Sequence, residues 1–555
     1  MDSPYRSAPR GDDVQAPRDT GIVGEVVSQF ADPLAFYREL IQNSIDAGSA
    51  AIEVELSYDA GAGAVRAVVR DRGEGMDQDT VENQLLVLFR STKDRDPTKI
   101  GKFGIGFSSV LAPKPRVVVV QTTRAGKRLT LHLHPDLSYQ LFDGGKGTRD
   151  GTSVELELPM EPGAVAGFAR QSRNALTRWC RHATVPIQFS ARGASGEALD
   201  EARIDTPLAI AGALVEVRGV SSDGAATAVV GLLPGAAPYS GFFNRGLTLF
   251  ETEEALAGRV AFKILDPRLG HTLSRDNVRR DGNFERAVAM VTELARGALT
   301  RAAAQALRET AEGDRVRWRA LFEALDAAHL PLDEKDWVVP LAAPIGDATA
   351  VAPAALPGRR VWSAAHVTPV VEAMAEAGIP VLATSAAGIG DAVVSTRLSS
   401  SCKRRVHGVE SELTLAATVP PSPADLVLLD HLAHLLDRAA REPSTIVLVA
   451  LSGPAGAEPF AAGGREHAMV AIDAHRWVIE RDTAHKNPLA FLVRPALLVN
   501  THHALVIAAR RRAEDDPVGA ASFLARLLLL RHRALDDDAS EEILVGTLER
   551  LGARW

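Results

Sequence analysis

Three polar residues near the start of the chain are spaced so that their side chains can act together. Glu39, Asn43 and Asp46 are four and three residues apart, which places them on one face of a helix. The apolar side chains that can cover the core side are Phe36, Leu40, Ile41 and Ile45. Three polar groups therefore converge on one stripe. A solvated face of an amphipathic helix has the same pattern, so this segment alone leaves both interpretations open.

A second group of candidate residues lies in the segment Asp-Arg-Gly-Glu-Gly-Met. Asp71 ends an apolar, strand-like run, and Gly73 and Gly75 follow it before Met76. Alternating glycines after a strand form a tight turn, through which a ligand can approach the backbone. The alternative is a simple turn that binds nothing.

Glycines cluster again at Gly101, Gly104 and Gly106, just before a predicted helix. Such a stretch exposes amide N–H groups that suit a phosphate. Further on, Thr152 follows a glycine at the start of a strand and can place a hydroxyl near Asp71. Each signal is weak by itself, but four signals in this order support one another.

The elements that must position these residues are one helix and several strands. The helix is predicted from Asp32, as N-cap, to Gly48, just past its end. The strand-like runs are Ile52 to Leu56, Val65 to Val69, Arg116 to Gln121, Leu129 to His134 and Thr152 to Leu158. This mixture predicts a helix layer packed on one sheet, which is an α+β arrangement.

The length of the chain requires more than one hydrophobic core. It has 555 residues, and single cores stop growing near about 250 to 300 residues. We predict a multidomain α+β protein with a flexible arm, an N-terminal α+β domain, an α/β middle domain and a mainly helical C-terminal domain. A small β-α-β unit is expected near residues 360–383. The predicted ranges are 1–20, 21–160, 161–415 and 424–555.

Composition argues against several classes of protein. The formal net charge of -8 gives no general attraction to nucleic acid. Cys180 and Cys402 have no CxxC spacing and no neighbouring pair of histidines, so we expect neither a disulfide framework nor a structural zinc site. The first 20 residues lack the apolar stretch of a signal peptide, and no apolar run reaches the roughly 18 residues of a membrane span. We therefore expect a cytoplasmic protein.

Taken in order, the four segments resemble the motifs of the ATPase superfamily of histidine kinases, gyrase, MutL and heat-shock protein 90 (GHKL). They are similar to its N-box, its DxGxGM box, its glycine-rich lid box and its final Gly-Thr box. The resemblance implies a Bergerat fold for the N-terminal domain, with helices on a mixed, mostly antiparallel sheet. It also implies an enzyme that hydrolyses ATP, with ATP and Mg²⁺ as its cofactors.

The same resemblance implies roles for individual residues. Glu39 resembles the general base that orients the attacking water, and Asn43 resembles the side chain that binds Mg²⁺. Asp71 resembles the carboxylate that accepts a hydrogen bond from the adenine amino group, with Thr152 helping through a shared water. The other positions that match nucleotide-binding motifs are Asp46, Gly73, Gly75, Met76, Asn83, Arg90, Ser91, Gly101, Gly104, Gly106 and Phe107.

Segments further along the chain indicate the branch of the superfamily. Residues 168–189, 242–251 and 271–277 are similar to segments of the heat-shock protein 90 family, of the compact bacterial type, although the helix end after Asp46 resembles MutL more. The last segment resembles the family's middle-domain catalytic loop, which implies that Arg275 stabilises charge on the γ-phosphate. An arginine in a surface ion pair is the alternative. Arg279 stands where the family has a glutamine.

These resemblances predict an ATP-dependent molecular chaperone, or clamp, whose N-terminal domains close on a protein client. The Leu-rich helices after residue 424 resemble C-terminal dimerisation helices, which implies a homodimer. A DNA-associated GHKL ATPase, such as a MutL-like or MORC-like clamp, is the first alternative. An ATP-binding scaffold with incidental hydrolysis is the second. The acidic net charge argues against nucleic acid as a partner, although basic runs at residues 403–405 and 510–512 leave room for it.

Overall fold

A computed structural model of the chain describes most of its residues. The described ranges are 32–86, 106–272, 277–384, 389–440, 445–452, 461–463, 469–480, 496–531 and 535–552. The chain divides into two compact units, residues 1–299 and residues 300–555. Each unit is described by itself.

The first unit contains an eight-stranded sheet. Its strands are β1 (Ile52–Asp59), β2 (Ala64–Asp71), β3 (Val117–Arg124), β4 (Lys127–Leu133), β5 (Tyr139–Lys146), β6 (Gly151–Pro159), β7 (Ile187–Arg192) and β8 (Ala198–Arg203). They lie in the order β5-β4-β3-β6-β2-β1-β7-β8. The pair β1/β7 is parallel and the other neighbours are antiparallel. Alternate residues of β1 and β7 are buried, because successive side chains of a strand point to opposite faces.

Two helices pack on this sheet, which confirms the predicted helix layer. Helix α1 (Ala35–Asp46) contacts α2 (Val165–Cys180), and both helices contribute fully buried side chains to the core of the sheet. The helix begins three residues later than the predicted N-cap. Asp32 instead stabilises the entry turn, since its carboxylate accepts a hydrogen bond from the backbone N–H of Leu34 at 2.9 Å.

The predicted domain border between residues 160 and 161 falls inside this architecture. Strands β7 and β8 lie beyond it, yet β7 pairs with β1 along six residues and buries Ile187 and Phe189 completely. Just after this predicted border the chain forms only a short 3-10 turn, Pro162–Ala164, which leads directly into α2. The sheet around the candidate site therefore needs the chain up to about residue 203.

A second sheet completes the first unit. Its strands are β9 (Val215–Val220), β10 (Thr227–Leu232), β11 (Tyr239–Asn244), β12 (Leu247–Thr252) and β13 (Ala261–Leu265), in the order β12-β11-β13-β10-β9. Helix α3 (Gly282–Leu294) follows, and the Asp281 carboxylate caps it by accepting from two backbone N–H groups. A π-helical turn, Ala295–Leu299, ends the unit.

The second unit begins with α4 (Thr300–Ala311) and α5 (Arg315–Ala327). A five-stranded sheet follows, with β14 (Val339–Ile345), β15 (Ala348–Val351), β16 (Arg360–Ala364), β17 (Val381–Ala383) and β18 (Arg405–Gly408) in the order β15-β14-β17-β16-β18. Strands β16 and β17 are parallel and joined through α6 (Pro369–Glu376), as the predicted β-α-β unit requires. Helix α7 (Ile389–Cys402) precedes β18.

The last part of the chain combines helices with a sheet that the sequence patterns did not indicate. Strands β19 (Leu413–Thr418), β20 (Thr445–Ser452), β21 (Ala461–Gly463), β22 (Met469–Ala471), β23 (Arg476–Glu480) and β24 (Ala496–Asn500) form it. The helices are α8 (Pro423–Ala440), α9 (Ala504–Arg512), α10 (Pro517–Arg531) and α11 (Asp537–Arg550). This sheet spans the predicted border at residues 415–424. Within the described ranges, no helix is long and apolar enough to cross a membrane. The multidomain α+β class is confirmed.

Candidate nucleotide-binding site

A cavity of about 660 Å³ opens between α1 and the eight-stranded sheet. Pockets of this size hold small organic ligands. The predicted site residues that line it are Glu39, Asn43, Asp46, Asp71, Gly75, Met76, Gly106, Phe107 and Thr152. Three of the four predicted motifs, with the last glycine of the lid box, therefore meet around one space.

Asp71, the last residue of β2, is held in the wall of this cavity by three hydrogen bonds. Its carboxylate accepts hydrogen bonds from the N–H of Gly73 at 2.9 Å, the N–H of Thr152 at 3.1 Å and the hydroxyl of Ser44 at 3.2 Å. Burial raises the pKa of Asp71, and the three donors act in the opposite direction. The sheet therefore holds a partly desolvated acceptor on the cavity wall.

The glycines of the DxGxGM turn are required by close contacts within the protein. Gly75 has a φ of +66°, and a Cβ there would lie 1.9 Å from the carbonyl oxygen of Thr123. A Cβ on Gly73 would lie 2.7 Å from the carbonyl oxygen of Ala47, at the end of α1. The N–H of Glu74 donates to that same oxygen at 3.0 Å. The turn is thus locked between the helix and β3, which fixes the position of Asp71.

Two threonine hydroxyls connect neighbouring strands beside Asp71. The Oγ1 atoms of Thr122 and Thr152 are 3.1 Å apart, and the N–H of Met76 donates to Thr122 Oγ1 at 2.7 Å. Thr152 was predicted, whereas Thr122 and Ser44 were missed. Their only sequence signal is a small polar residue within an otherwise apolar strand or helix face.

Helix α1 presents its polar stripe to the cavity as predicted. Glu39 is buried, with 6% of its surface exposed, whereas Asn43 and Asp46 are more exposed on the following turns. The Asp46 carboxylate also pairs with the guanidinium of Arg245, which lies between β11 and β12. Asn43 lines the cavity with an exposed side chain that carries an amide oxygen. That position is chemically suited to a hard cation such as Mg²⁺, which prefers oxygen ligands.

Asn83 does not line the cavity, although the motif comparison predicted it. Its side chain is exposed and donates to Asp79 at 2.8 Å, while the next residue, Gln84, lines the cavity. The segment Val81–Leu85 is a π-helical turn, which changes which residue faces inward relative to an α-helix. Other predicted residues lie outside the described ranges: Arg90, Ser91, Gly101, Gly104 and Arg275.

The comparisons with known proteins agree with this site. Residues 36–140 match a family model described as histidine kinase-, DNA gyrase B-, and HSP90-like ATPase. The chain thus contains a GHKL-type ATPase domain, as predicted, and ATP binding is supported for it.

The chain is also similar to curated chaperones. The proteins named Chaperone protein HtpG from two strains of Coxiella burnetii, RSA 331 / Henzerling II and RSA 493 / Nine Mile phase I, are each 28% identical to it over 211 residues. These alignments cover 32% of this chain and 32% of each relative. The chain therefore spans about a third of the length of these relatives, and the predicted likeness to heat-shock protein 90 is supported in that part.

Replacing Asp71 by Asn separates the ligand-binding role of this residue from its structural role. The Asn oxygen can accept from Gly73 and Thr152, and its NH₂ group can donate to Ser44, whose hydroxyl is then free to donate to the carbonyl of Leu40. The folded-state pKa of Asp71 is raised, so its contribution to stability is lost as pH rises through that pKa. We expect the Asp71→Asn chain without nucleotide to melt at the parent temperature or above it at neutral pH.

ATP binding by the same variant should be abolished in calorimetry, because the cavity loses its charged acceptor. If the variant melts like the parent and binds ATP with the parent affinity, Asp71 does not bind the nucleotide. The matched control is Asp59→Asn, since Asp59 is an exposed acid at the end of β1 whose carboxylate only closes a local turn.

Proposed function

We propose that this protein is a Mg²⁺-dependent ATP hydrolase that works as a chaperone, or clamp, of the heat-shock protein 90 type in the cytoplasm. One observation carries the proposal. The buried Glu39 and the partly buried Asp71 line the same cavity, one on the helix and one at the end of β2. The matched ATPase family model and the similarity to HtpG support the assignment.

Adenine recognition is assigned to Asp71. Its carboxylate is fixed by three hydrogen-bond donors and can still accept from an exocyclic amino group, because a carboxylate offers about four lone-pair sites. The hydroxyls of Thr122 and Thr152 lie next to it and can bind a water molecule that bridges to the base. Met76, Leu85 and Val154 supply apolar walls for the ring.

Hydrolysis is assigned to Glu39, because a buried carboxylate in the cavity wall can orient a water and take its proton. Asn43 would hold Mg²⁺ through its amide oxygen, and the ion supplies charge neutralisation for the phosphates when it is bound. Arg275, assigned from the sequence resemblance, stabilises charge that develops on the γ-phosphate.

Dimerisation is proposed through the helices at the end of the chain. Phe523 and Leu530 of α10 are seven residues apart, which places them on one face, and they are 44% and 61% exposed. Leu544 and Leu551 repeat the spacing at α11, with 48% and 60% exposed. Exposed apolar stripes call for a partner, and a second copy is the commonest one.

The DNA-associated alternative receives less support from the described residues. In the basic run at residues 510–512, Arg510 forms a paired contact with the buried Asp425 at 2.8 Å, and Arg512 contacts Asp516 at 3.1 Å. Arg510 lowers the pKa of Asp425 to about 2, so this pair stays charged at neutral pH. Arg510 thus holds α9 against α8, whereas Arg511 and Arg512 are exposed. The run at residues 403–405 also has exposed cations, so DNA binding by this protein can be tested directly.

The proposed chemistry predicts that Glu39→Ala slows ATP hydrolysis by about 10² to 10⁴, the usual range for loss of a general base. ATP affinity should stay near the parent value, because Glu39 is not assigned to the adenine. Steady-state phosphate release and calorimetry measure the two quantities. Glu55→Gln is the control, since it breaks only an exposed ion pair with Arg70.

The same preparations test the choice between chaperone and DNA clamp. We expect ATP to increase the suppression of client aggregation by the parent protein and not by Glu39→Ala, while duplex DNA leaves the hydrolysis rate unchanged. Stimulation by DNA without any effect on client aggregation would favour the DNA-associated alternative.

The proposed dimer contact predicts that Phe523→Glu combined with Leu530→Glu converts a dimer to a monomer, because two carboxylates would be buried without partners. Light scattering should give half the parent molar mass, with an unchanged circular dichroism spectrum. Val316→Glu is the control, as this α5 residue is 82% exposed and belongs to another region. A dimer that persists in the double variant would place the contact elsewhere.

A further inference from the structure

Arg38, the residue just before Glu39 on helix α1, is buried and makes contacts of its own. Arg38 is 5% exposed, and its guanidinium lies over the ring of Trp179 from α2 at 4.9 Å. The guanidinium also contacts both ring nitrogens of His271, with Nη2 3.0 Å from Nδ1. Arg38 and His271 are 233 residues apart in the chain. This contact therefore joins the helix of the candidate site to a distant segment of the first unit.

His271 belongs to a stem that two paired segments form, residues 270–272 and residues 277–279. It forms an isolated β-bridge with Val278, and the N–H of Thr272 donates to the carbonyl of Asn277 at 3.0 Å. The N–H of Arg279 donates to the carbonyl of Gly270 at 2.7 Å. The two strands of the stem are thus paired on both sides of the bridge. In sequence, Arg275 lies between the two ends of this stem.

We infer that His271 is a positioning residue for ATP hydrolysis. Its imidazole contacts the Arg38 guanidinium and so fixes the stem of residues 270–272 and 277–279 against the helix that carries Glu39. The inference rests on the proposed function, in which Glu39 activates the water that attacks the γ-phosphate and Arg275 stabilises the charge that develops on that phosphate. A shift of about 1 Å in such a group can cost about 10²-fold in rate, so the stem needs a buried attachment.

The charge state of His271 determines whether this contact is attractive. A neutral imidazole has a lone pair that can accept from a guanidinium, whereas an imidazolium has none and repels it. Two further ionisable groups lie near this contact: Arg178, which lies over the same Trp179 ring at 4.7 Å, and the Cys180 thiol. Burial raises the pKa of Cys180 to about 12, so the thiol stays neutral.

The test compares His271→Ala and His271→Asn in the full chain at pH 7.5. We expect His271→Ala to lower kcat by about 10-fold or more with an unchanged ATP dissociation constant, because the Asp71 region makes no contact with His271 among the described hydrogen bonds. His271→Asn should recover much of the rate, since the amide keeps a neutral acceptor near the Nδ1 position. Arg173→Ala is the control, as it breaks only the exposed pair of α2 with Asp200.

The split between kcat and ATP affinity, with recovery of the rate in His271→Asn, separates positioning from general stabilisation. A parent-like rate for His271→Ala, no recovery of the rate in His271→Asn, or a matching loss of ATP affinity would overturn the inference. Absence of hydrolysis in the parent would instead refute the proposed function on which it rests.

Discussion

The candidate site depends on one partly desolvated carboxylate. Asp71 ends β2, receives the N–H of Thr152 from β6 and the hydroxyl of Ser44 from α1, and so ties two strands and a helix to one point. Its pKa is raised by burial, which means that the folded chain accepts an electrostatic cost to keep a charged acceptor there. Natural proteins retain such a cost at functional sites, and a ligand donor is the group that would offset it.

Helix α1 connects this acceptor to the rest of the first unit. Its polar stripe faces the cavity, and its last turn receives the N–H of Glu74 from the glycine turn. Arg38, one residue before Glu39, contacts His271, and Asp46, in the last helical turn, also pairs with Arg245. The buried Arg38 contact is the stronger of the two, because the Asp46 pair is exposed and screened by solvent. Movement of α1 would therefore change the positions of side chains both in the nucleotide cavity and at the stem that contains His271.

Local spacing explains which features could be predicted from the sequence. Glu39, Asn43 and Asp46 follow from helical periodicity, and Asp71 with its glycines follows from a strand end and a turn. Gln84 could not be predicted in place of Asn83, because the π-helical turn changes the phase of the side chains. The parallel pairing of β7 with β1 and the Arg38–His271 contact join distant parts of the chain, and such pairings leave no local pattern.

The central claim is that Asp71 recognises the amino group of adenine, and nucleotides that differ only at this position test it most directly. Purine riboside triphosphate has a hydrogen in place of the 6-amino group of ATP and keeps the N1 acceptor, so it offers the Asp71 carboxylate no N–H donor. Calorimetry on the parent protein with Mg²⁺ should show binding of ATP and at least about 100-fold weaker binding of purine riboside triphosphate, the discrimination expected when buried polar groups are left unpaired. Equal affinity for the two nucleotides would contradict the account.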